Sequence, residues 1–249
     1  MISHADTVNI LGINVTKKSA DEVKKLLSAM LEKENNIKLF TPNSEILYRA
    51  ARQSELARML NQGDLLLPDG IGVVLASRLL RQPIPTRITG IDMGEFILSV
   101  AAERGLSVYL LGGEDGVAEK AADKLKKRLP ALNICGTHHG YFAKTGEEAE
   151  NVLTDISEAK PDILFVCLGF PQQERFIIEN GEKLSFLRLS AGLGGSLDVW
   201  SGKVGRAPSL MRKAGLEWLF RTLADPIRFR RFPSLFGFAL KTLCDTISK

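Results

Sequence analysis

The chain has 249 residues, 45% of them apolar and 25% charged, with a formal net charge of +4. This is the composition of a folded globular chain and excludes extended disorder. No run approaches the roughly 18 uncharged apolar residues of a membrane-crossing helix, and Met1 to Asp6 lacks the cationic start and apolar stretch of an export signal, so a cytoplasmic location is expected.

From Val8 to Val15 a short apolar run containing Gly12 reads as a strand, and Val23, Leu26, Leu27 and Met30 recur at helical spacing after it. Ile37 to Phe40 is the next strand, stopped by Thr41-Pro42-Asn43-Ser44. Ile46, Leu47, Ala50, Leu56 and Leu60 then suggest a helical segment. Leu65 to Leu67 ends at Pro68-Asp69-Gly70, with a helix following through Val73, Val74 and Leu80.

The alternation continues with a helix over Met93 to Glu103, the strand Ser107 to Leu111, the turn Gly112-Gly113 and a charged helix over Val117 to Arg128. Ile134 to Gly136 reads as a strand, Glu147 to Ala159 as a helix, Ile163 to Leu168 as a continuous apolar strand, Gln173 to Asn180 as a short helix and Leu187 to Ser190 as the last strand. Strands apolar on both faces belong to parallel sheets covered by helices, so the predicted class is an α/β sandwich. Ligands of such sheets sit beyond the carboxyl ends of the strands. That edge would collect Thr41, Asn43, Asp69, Gly112, Gly113, Gly169 and Gln172.

Beyond Trp200 the pattern changes. Residues 203–249 carry ten Lys or Arg against three Asp or Glu, a local +7 that leaves the preceding part at −3. Large apolar residues are interleaved at Trp218-Leu219-Phe220, Phe229, Phe232, Leu235-Phe236 and Phe238. Such a mixture suits an anionic membrane interface, where rings enter the headgroup boundary and cations meet phosphates. Met211, Ala214, Trp218 and Leu219 are expected on one apolar helical face, flanked by Arg212, Lys213 and Arg221. The competing readings are completion of a soluble core or a homo-oligomer contact. Nucleic-acid binding is set aside, because the aromatics cluster with Leu and Trp and build no known nucleic-acid module. The predicted organisation is a catalytic α/β domain over 1–202 and an appendage over 203–249.

Thr41-Pro42-Asn43-Ser44 offers an amide and two hydroxyls after a buried strand, suited to sugar hydroxyls or a uracil edge; the alternative is a helix cap, with Ser44 as one capping candidate. Asp69 is a candidate base at the mouth of an apolar strand, or else a turn residue capping the helix near Ile71. Arg87 offers a rigid fork to a phosphate. Gly112-Gly113 and Gly192-Leu193-Gly194-Gly195-Ser196 are candidate backbone nests, but the dinucleotide fingerprint and the phosphate-loop Lys-Ser/Thr pair are missing, which argues against a nucleotide-dependent oxidoreductase. Gln172 can donate and accept hydrogen bonds after the strand at Ile163. Cys135, His138 and His139 lack zinc spacing, and no Asp-x-Asp is present to chelate a cation, so neither metal nor cofactor is expected. Cys135, Cys167 and Cys244 make no disulfide framework and are read as buried thiols.

Taken together, Thr41-Pro42-Asn43, Pro68-Asp69-Gly70, Arg87-Ile88-Thr89-Gly90, Leu111-Gly112-Gly113, His139-Gly140-Tyr141-Phe142, Gly169-Phe170-Pro171-Gln172-Gln173-Glu174 and Gly192-Leu193-Gly194-Gly195 resemble the WecG/TagA/CpsF family of bacterial glycosyltransferases over nearly the whole chain. The likeness is closest to its wall teichoic acid branch. It implies a Rossmann-like fold and an inverting, metal-independent transfer of N-acetyl-β-D-mannosamine from its uridine diphosphate donor to N-acetylglucosaminyl-diphospho-undecaprenol, on the cytoplasmic face of the membrane. By the same resemblance Asp69 is the base, Thr41 a pocket residue and Arg87 the phosphate-side arginine. Asn43, Gly112, Gly113, His139, Gln172, Gly194 and Gly195 are expected to bind substrate. The appendage is expected to supply a phosphate ligand from Arg206, Arg212, Arg221, Arg228 or Arg230. The alternatives are a related transferase using another donor, such as uridine diphosphate N-acetylmannosaminuronic acid, and a noncatalytic membrane-bound module for nucleotide or lipid diphosphate.

Overall fold

The computed structural model describes residues 6–33, 36–213, 215, 217–224 and 232–247. In chain order its elements are β1 (Thr7–Ile10), β2 (Ile13–Thr16), α1 (Ala20–Met30), β3 (Ile37–Phe40), α2 (Ser44–Ala50), α3 (Ser54–Leu60), β4 (Leu65–Leu66), α4 (Ile71–Leu79), α5 (Gly90–Arg104) and β5 (Ser107–Gly112). There follow α6 (Val117–Arg128), β6 (Asn133–His138), α7 (Glu147–Ala159), β7 (Ile163–Cys167), α8 (Gln172–Glu179), β8 (Leu189–Gly192), α9 (Ser196–Trp200), α10 (Ser209–Lys213), α11 (Glu217–Ala224) and α12 (Phe232–Ile247). The class is α/β, as the apolar runs predicted.

The chain divides into two compact units and passes between them four times: unit 1 gathers residues 1–23, 41–89 and 206–249, and unit 2 gathers 24–40 and 90–205. Unit 2 holds a parallel sheet with the order β3-β8-β7-β5-β6. Its middle strands are apolar on both faces, and all five residues of β7 are buried, which is what covering by helices requires. Ring packing of Trp200 against Phe165, with centroids 5.7 Å apart, closes the α9 end of this core. From β5 the chain first moves outward to β6 and then returns to β7 on the other side. The strand order therefore reverses between β5 and β7, which pair with Gly112 opposite Cys167. In open parallel sheets that reversal is where a crevice forms beyond the strand ends.

The opposite edge of the sheet is tied by Asp162. Its carboxylate accepts from Arg188 Nε at 2.7 Å, from the Ser107 backbone N–H at 2.8 Å and from the Ser107 hydroxyl at 2.9 Å. Burial alone would raise the pKa of this carboxyl, but the Ser107 and Arg188 hydrogen bonds together outweigh it and hold it below its ordinary value.

Unit 1 begins with a hairpin in place of the single strand expected. Leu11 and Gly12 both have positive φ, 53° and 88°, the backbone of a two-residue hairpin turn, and β1 pairs antiparallel with β2 in the register Thr7↔Thr16 to Ile10↔Ile13. Each strand alternates, with Val8 and Ile10 and then Ile13 and Val15 buried, but a leucine at the turn gives no break signal, so the run reads as one strand. The helical segment after Asn43 is likewise two helices, α2 and α3, separated at residues 51–53. Helix α12 packs on α2 and α4. At Gly237 the approach is so close that a Cβ would stand 2.3 Å from the Tyr48 ring, so only glycine fits there.

The predicted continuous apolar face through Met211 and Trp218 is interrupted. Helices α10 and α11 are separate, with Gly215 at φ +75° between them, because a left-handed residue ends an α-helix. Ala214 and Phe229 lie outside the described residues. Among the aromatics that are described, Phe238 is buried while Phe236 is 74% exposed. Of the three thiols, Cys167 is buried, Cys135 is half-buried and Cys244 is exposed, which corrects the expectation of three buried cysteines. Cys244 sits on the outward side of an amphipathic helix, a placement that local hydrophobicity does not reveal. No described helix is long and apolar enough to cross a membrane.

Candidate active site

Three loops of unit 1 carry the residues expected to do chemistry, and the backbone joins them. The Asp69 N–H donates to the Pro42 carbonyl at 3.2 Å, and the Ile88 N–H donates to the Pro68 carbonyl at 2.9 Å. Thr41-Pro42-Asn43, Pro68-Asp69-Gly70 and Arg87-Ile88-Thr89, far apart in sequence, are thus neighbours. Thr41 is buried at 7% exposure, Asp69 is half-buried, and the Arg87 side chain is 17% exposed.

The capping alternatives separate at this level. Asn43, not Ser44, caps α2, its side-chain oxygen accepting from Ile46 N at 3.0 Å. That bond uses the carbonyl alone, and the Asn43 amide donors have no protein partner among the described residues. The N-cap of α4 is Gly70, with φ 97°, so Asp69 stands one residue before the cap.

Of the appendage arginines, Arg206 and Arg212 lie in unit 1 with Arg87. Arg87 Nη2 donates to the Arg212 carbonyl, and Arg87 Nη1 stands 3.7 Å from Glu217 Oε2. The Nε of Arg212 is buried without a hydrogen-bond partner among the described residues. Arg228, Arg230 and the side chain of Arg221 lie outside what is described.

Unit 2 places its own candidates at the carboxyl edge of the parallel sheet. Gly112-Gly113 leaves β5, His139 follows β6, Gln172 opens α8 after β7, and Gly194-Gly195 follows β8. The Gly140 N–H donates to the Gly113 carbonyl at 2.7 Å, so the loop after β6 closes onto the glycine turn after β5. His139 Nδ1 accepts from the Tyr141 N–H at 3.2 Å. Tyr141 is 75% exposed beside this turn.

Three residues escaped the sequence reading. Lys144 stands out in no motif, yet its ammonium donates to the Gly140 and Phe142 carbonyls at 2.6 and 2.8 Å and lies 3.4 Å from the Phe142 ring centroid, fastening the His139 loop. Burial lowers its pKa, against a smaller opposing effect of Glu148. Gln173, next to the expected Gln172, is 3% exposed; its Oε1 accepts from the Gly194 N–H at 3.0 Å and its Nε2 donates to Glu174 Oε1 at 2.9 Å. It holds the Gly194 turn, while Gln172 faces solvent. The third is Glu217, whose only sequence signal is being an acid within a basic tail. Cys167 closes β7, and burial pushes its thiol up to about 12, which makes it inert near neutrality.

Among the described residues no three of His, Cys, Asp or Glu gather as a metal site would require. In unit 1 one carboxylate, a hydroxyl, an amide and a guanidinium stand on loops that meet, and unit 2, taken by itself, gathers glycine turns at the carboxyl edge of its sheet. Such donors suit a neutral sugar and a diphosphate.

Comparison with known proteins agrees with that chemistry. Residues 8–249 match the profile described as "Glycosyl transferase WecG/TagA/CpsF family". The chain is 37% identical over 209 residues to the N-acetylglucosaminyldiphosphoundecaprenol N-acetyl-beta-D-mannosaminyltransferase of Bacillus subtilis, covering 84% of this chain and 80% of that protein. It is 34% identical over 235 residues to the transferase of the same description from Staphylococcus aureus strain MRSA252, covering 94% and 91%. A match across both units, including the loops that meet around Asp69, places the chain in the WecG/TagA/CpsF family of glycosyltransferases.

Proposed function

We propose that the protein transfers N-acetyl-β-D-mannosamine from its uridine diphosphate donor to N-acetylglucosaminyl-diphospho-undecaprenol, with inversion, in the linkage-unit step of wall teichoic acid synthesis. The observation that carries this reading is the meeting of the Thr41, Asp69 and Arg87 loops in a chain 34% identical over 235 residues to a transferase of that description.

In this mechanism a lone pair of the acceptor hydroxyl oxygen forms a bond to the anomeric carbon from the face opposite the diphosphate. The bond from that carbon to the β-phosphate oxygen breaks, and its electron pair leaves with uridine diphosphate. Asp69 takes the hydroxyl proton as attack proceeds. Arg87 meets the charge that grows on the leaving diphosphate, a role in which a planar fork outperforms a point charge. Thr41 and Asn43 orient sugar hydroxyls from the adjoining loop. In unit 2 the assigned substrate ligands are Gly112, Gly113, His139, Gln172, Gly194 and Gly195.

Residues 203–249 are assigned as a membrane-associating appendage that also closes the active site, placing the enzyme peripherally at the cytoplasmic face, beside its lipid acceptor. The supporting feature is α12, where Phe236, Leu240, Leu243 and Ile247 are 74, 64, 44 and 77% exposed at spacings of four, three and four residues. That repeat draws one apolar stripe along a helix. Helix α4, which packs against α12, adds Leu75 and Leu79 at 53 and 40%.

The test uses purified enzyme, a short-chain soluble form of the diphosphate acceptor and a choice of donors. Uridine diphosphate release should require acceptor, and the disaccharide should carry the β-mannosaminyl linkage by one-bond carbon–proton coupling. Release of equal size without acceptor would reject the transferase reading. Preference for the mannosaminuronic acid donor would instead move the donor assignment.

A further inference from the structure

We propose that Glu217 is a positioning residue for Arg87, through which the α10–α11 segment sets the guanidinium that meets the leaving diphosphate; this rests on the role given to Arg87 above. Glu217 lies in the first turn of α11 and is 5% exposed. Its carboxylate is 3.7 Å from Arg87 Nη1, while Arg87 Nη2 donates to the carbonyl of Arg212 in α10. Arg87 is therefore held from two directions, by a side chain of one appendage helix and the backbone of the other.

Each part of this arrangement has a physical reason. A carboxylate with a side chain only 7% exposed is costly to bury unless a cation stands by it. An arginine has several rotatable bonds, and a guanidinium already held in place does not reorganise when charge appears on the substrate. The separation of 3.7 Å gives attraction without the short paired bonds of a closed fork. Arg87 Nε makes no hydrogen bond among the described residues, which leaves donor capacity for a phosphate.

The turn that carries Glu217 is itself located against the candidate base. Gly215, at φ +75°, lies so close to α4 that an added Cβ would stand 3.2 Å from the Ile71 Cβ. Ile71 begins the helix that follows Asp69-Gly70. One appendage turn thus touches the helix behind the proposed base and orients the proposed phosphate ligand, so its docking and the electrostatics of the leaving group are coupled.

A double-mutant cycle with the full chain and the short-chain soluble acceptor tests this. Glu217→Gln keeps side-chain volume and removes the charge. It should lower kcat about tenfold or more, with donor KM changed by less than about twofold, because the interaction is realised as leaving-group charge develops. In an Arg87→Ala background the same substitution should change kcat by less than about twofold. Liposome association of Glu217→Gln should equal that of the parent. An equal effect in both backgrounds, a parent-like Glu217→Gln or a faster one would overturn the proposal. If Arg87→Ala alone retained full turnover, the role of Arg87 in the functional reading would fail, an outcome distinct from failure of the link to Glu217. Should Glu217→Gln fold poorly, Arg212→Pro is not a substitute, since it breaks α10; Glu217→Asp then serves, shortening the reach while keeping the charge, and should show the same loss confined to the Arg87 background.

Discussion

Adjacent glutamines at the start of α8 should respond oppositely to the same substitution. Gln173→Met keeps an unbranched chain of similar length but removes both side-chain hydrogen bonds of a residue 3% exposed. One of these serves the buried Glu174 carboxylate at 2.9 Å and the other accepts the Gly194 N–H at 3.0 Å. Depriving a buried carboxyl group of a donor costs about 2 kcal/mol, and the lost amide bond about 1 kcal/mol, so roughly 3 kcal/mol of stability should disappear. For a chain of this size each kcal/mol moves Tm by about 2–4 °C, which predicts a fall of about 6–12 °C. Gln172→Met, on an exposed side chain, should leave stability within about 0.5 kcal/mol and instead raise the KM for donor or acceptor. Thermal and urea denaturation, with steady-state kinetics on both variants, read the two effects separately. A Gln173→Met protein melting within about 2 °C of the parent would refute the reasoning, as would a Gln172→Met protein that lost stability.

Asp69→Asn should retain the parental Tm within a few degrees and lower turnover by about 100-fold or more, the scale of positioned base catalysis, in the acceptor-dependent release assay; parental turnover would remove Asp69 from this role. Asp162→Ala should cost about 2–3 kcal/mol at neutral pH, measured by urea denaturation, because a part-exposed carboxylate loses three hydrogen bonds. Since the folded-state pKa of Asp162 lies below the ordinary value of 3.8, its contribution is present above that value and disappears as pH falls through the lower folded pKa. The gap between parent and variant should therefore narrow only in acid, and a gap that narrowed on the alkaline side instead would contradict the assignment. Phe236→Ser with Leu240→Ser should weaken association with anionic liposomes while leaving transfer to the soluble acceptor within about twofold, since both side chains face outward on α12.

The parallel sheet could be read from the chain because its strands obey a rule visible in sequence: β7 is apolar at every position and buried at every position. The hairpin at Leu11-Gly12 could not, because the turn depends on positive φ at a leucine, a conformation that residue type argues against. For the site, motif likeness pointed to the loops that carry Thr41, Asp69 and Arg87, and those loops do meet. It did not separate Gln172 from Gln173, since both follow the same strand and only burial distinguishes the one that faces solvent from the one that braces a glycine turn. Glu217 was invisible for a related reason. Within a tail carrying ten cations and three acids, a lone glutamate reads as a charge-balancing surface residue, and only the placement of α11 turns it inward to 5% exposure against Arg87. What sequence pattern conveys is which groups are available for chemistry. What sets their orientation, here a buried amide and a buried carboxylate acting on neighbours, is long-range packing, and it is at those second contacts that substitutions should separate stability from turnover.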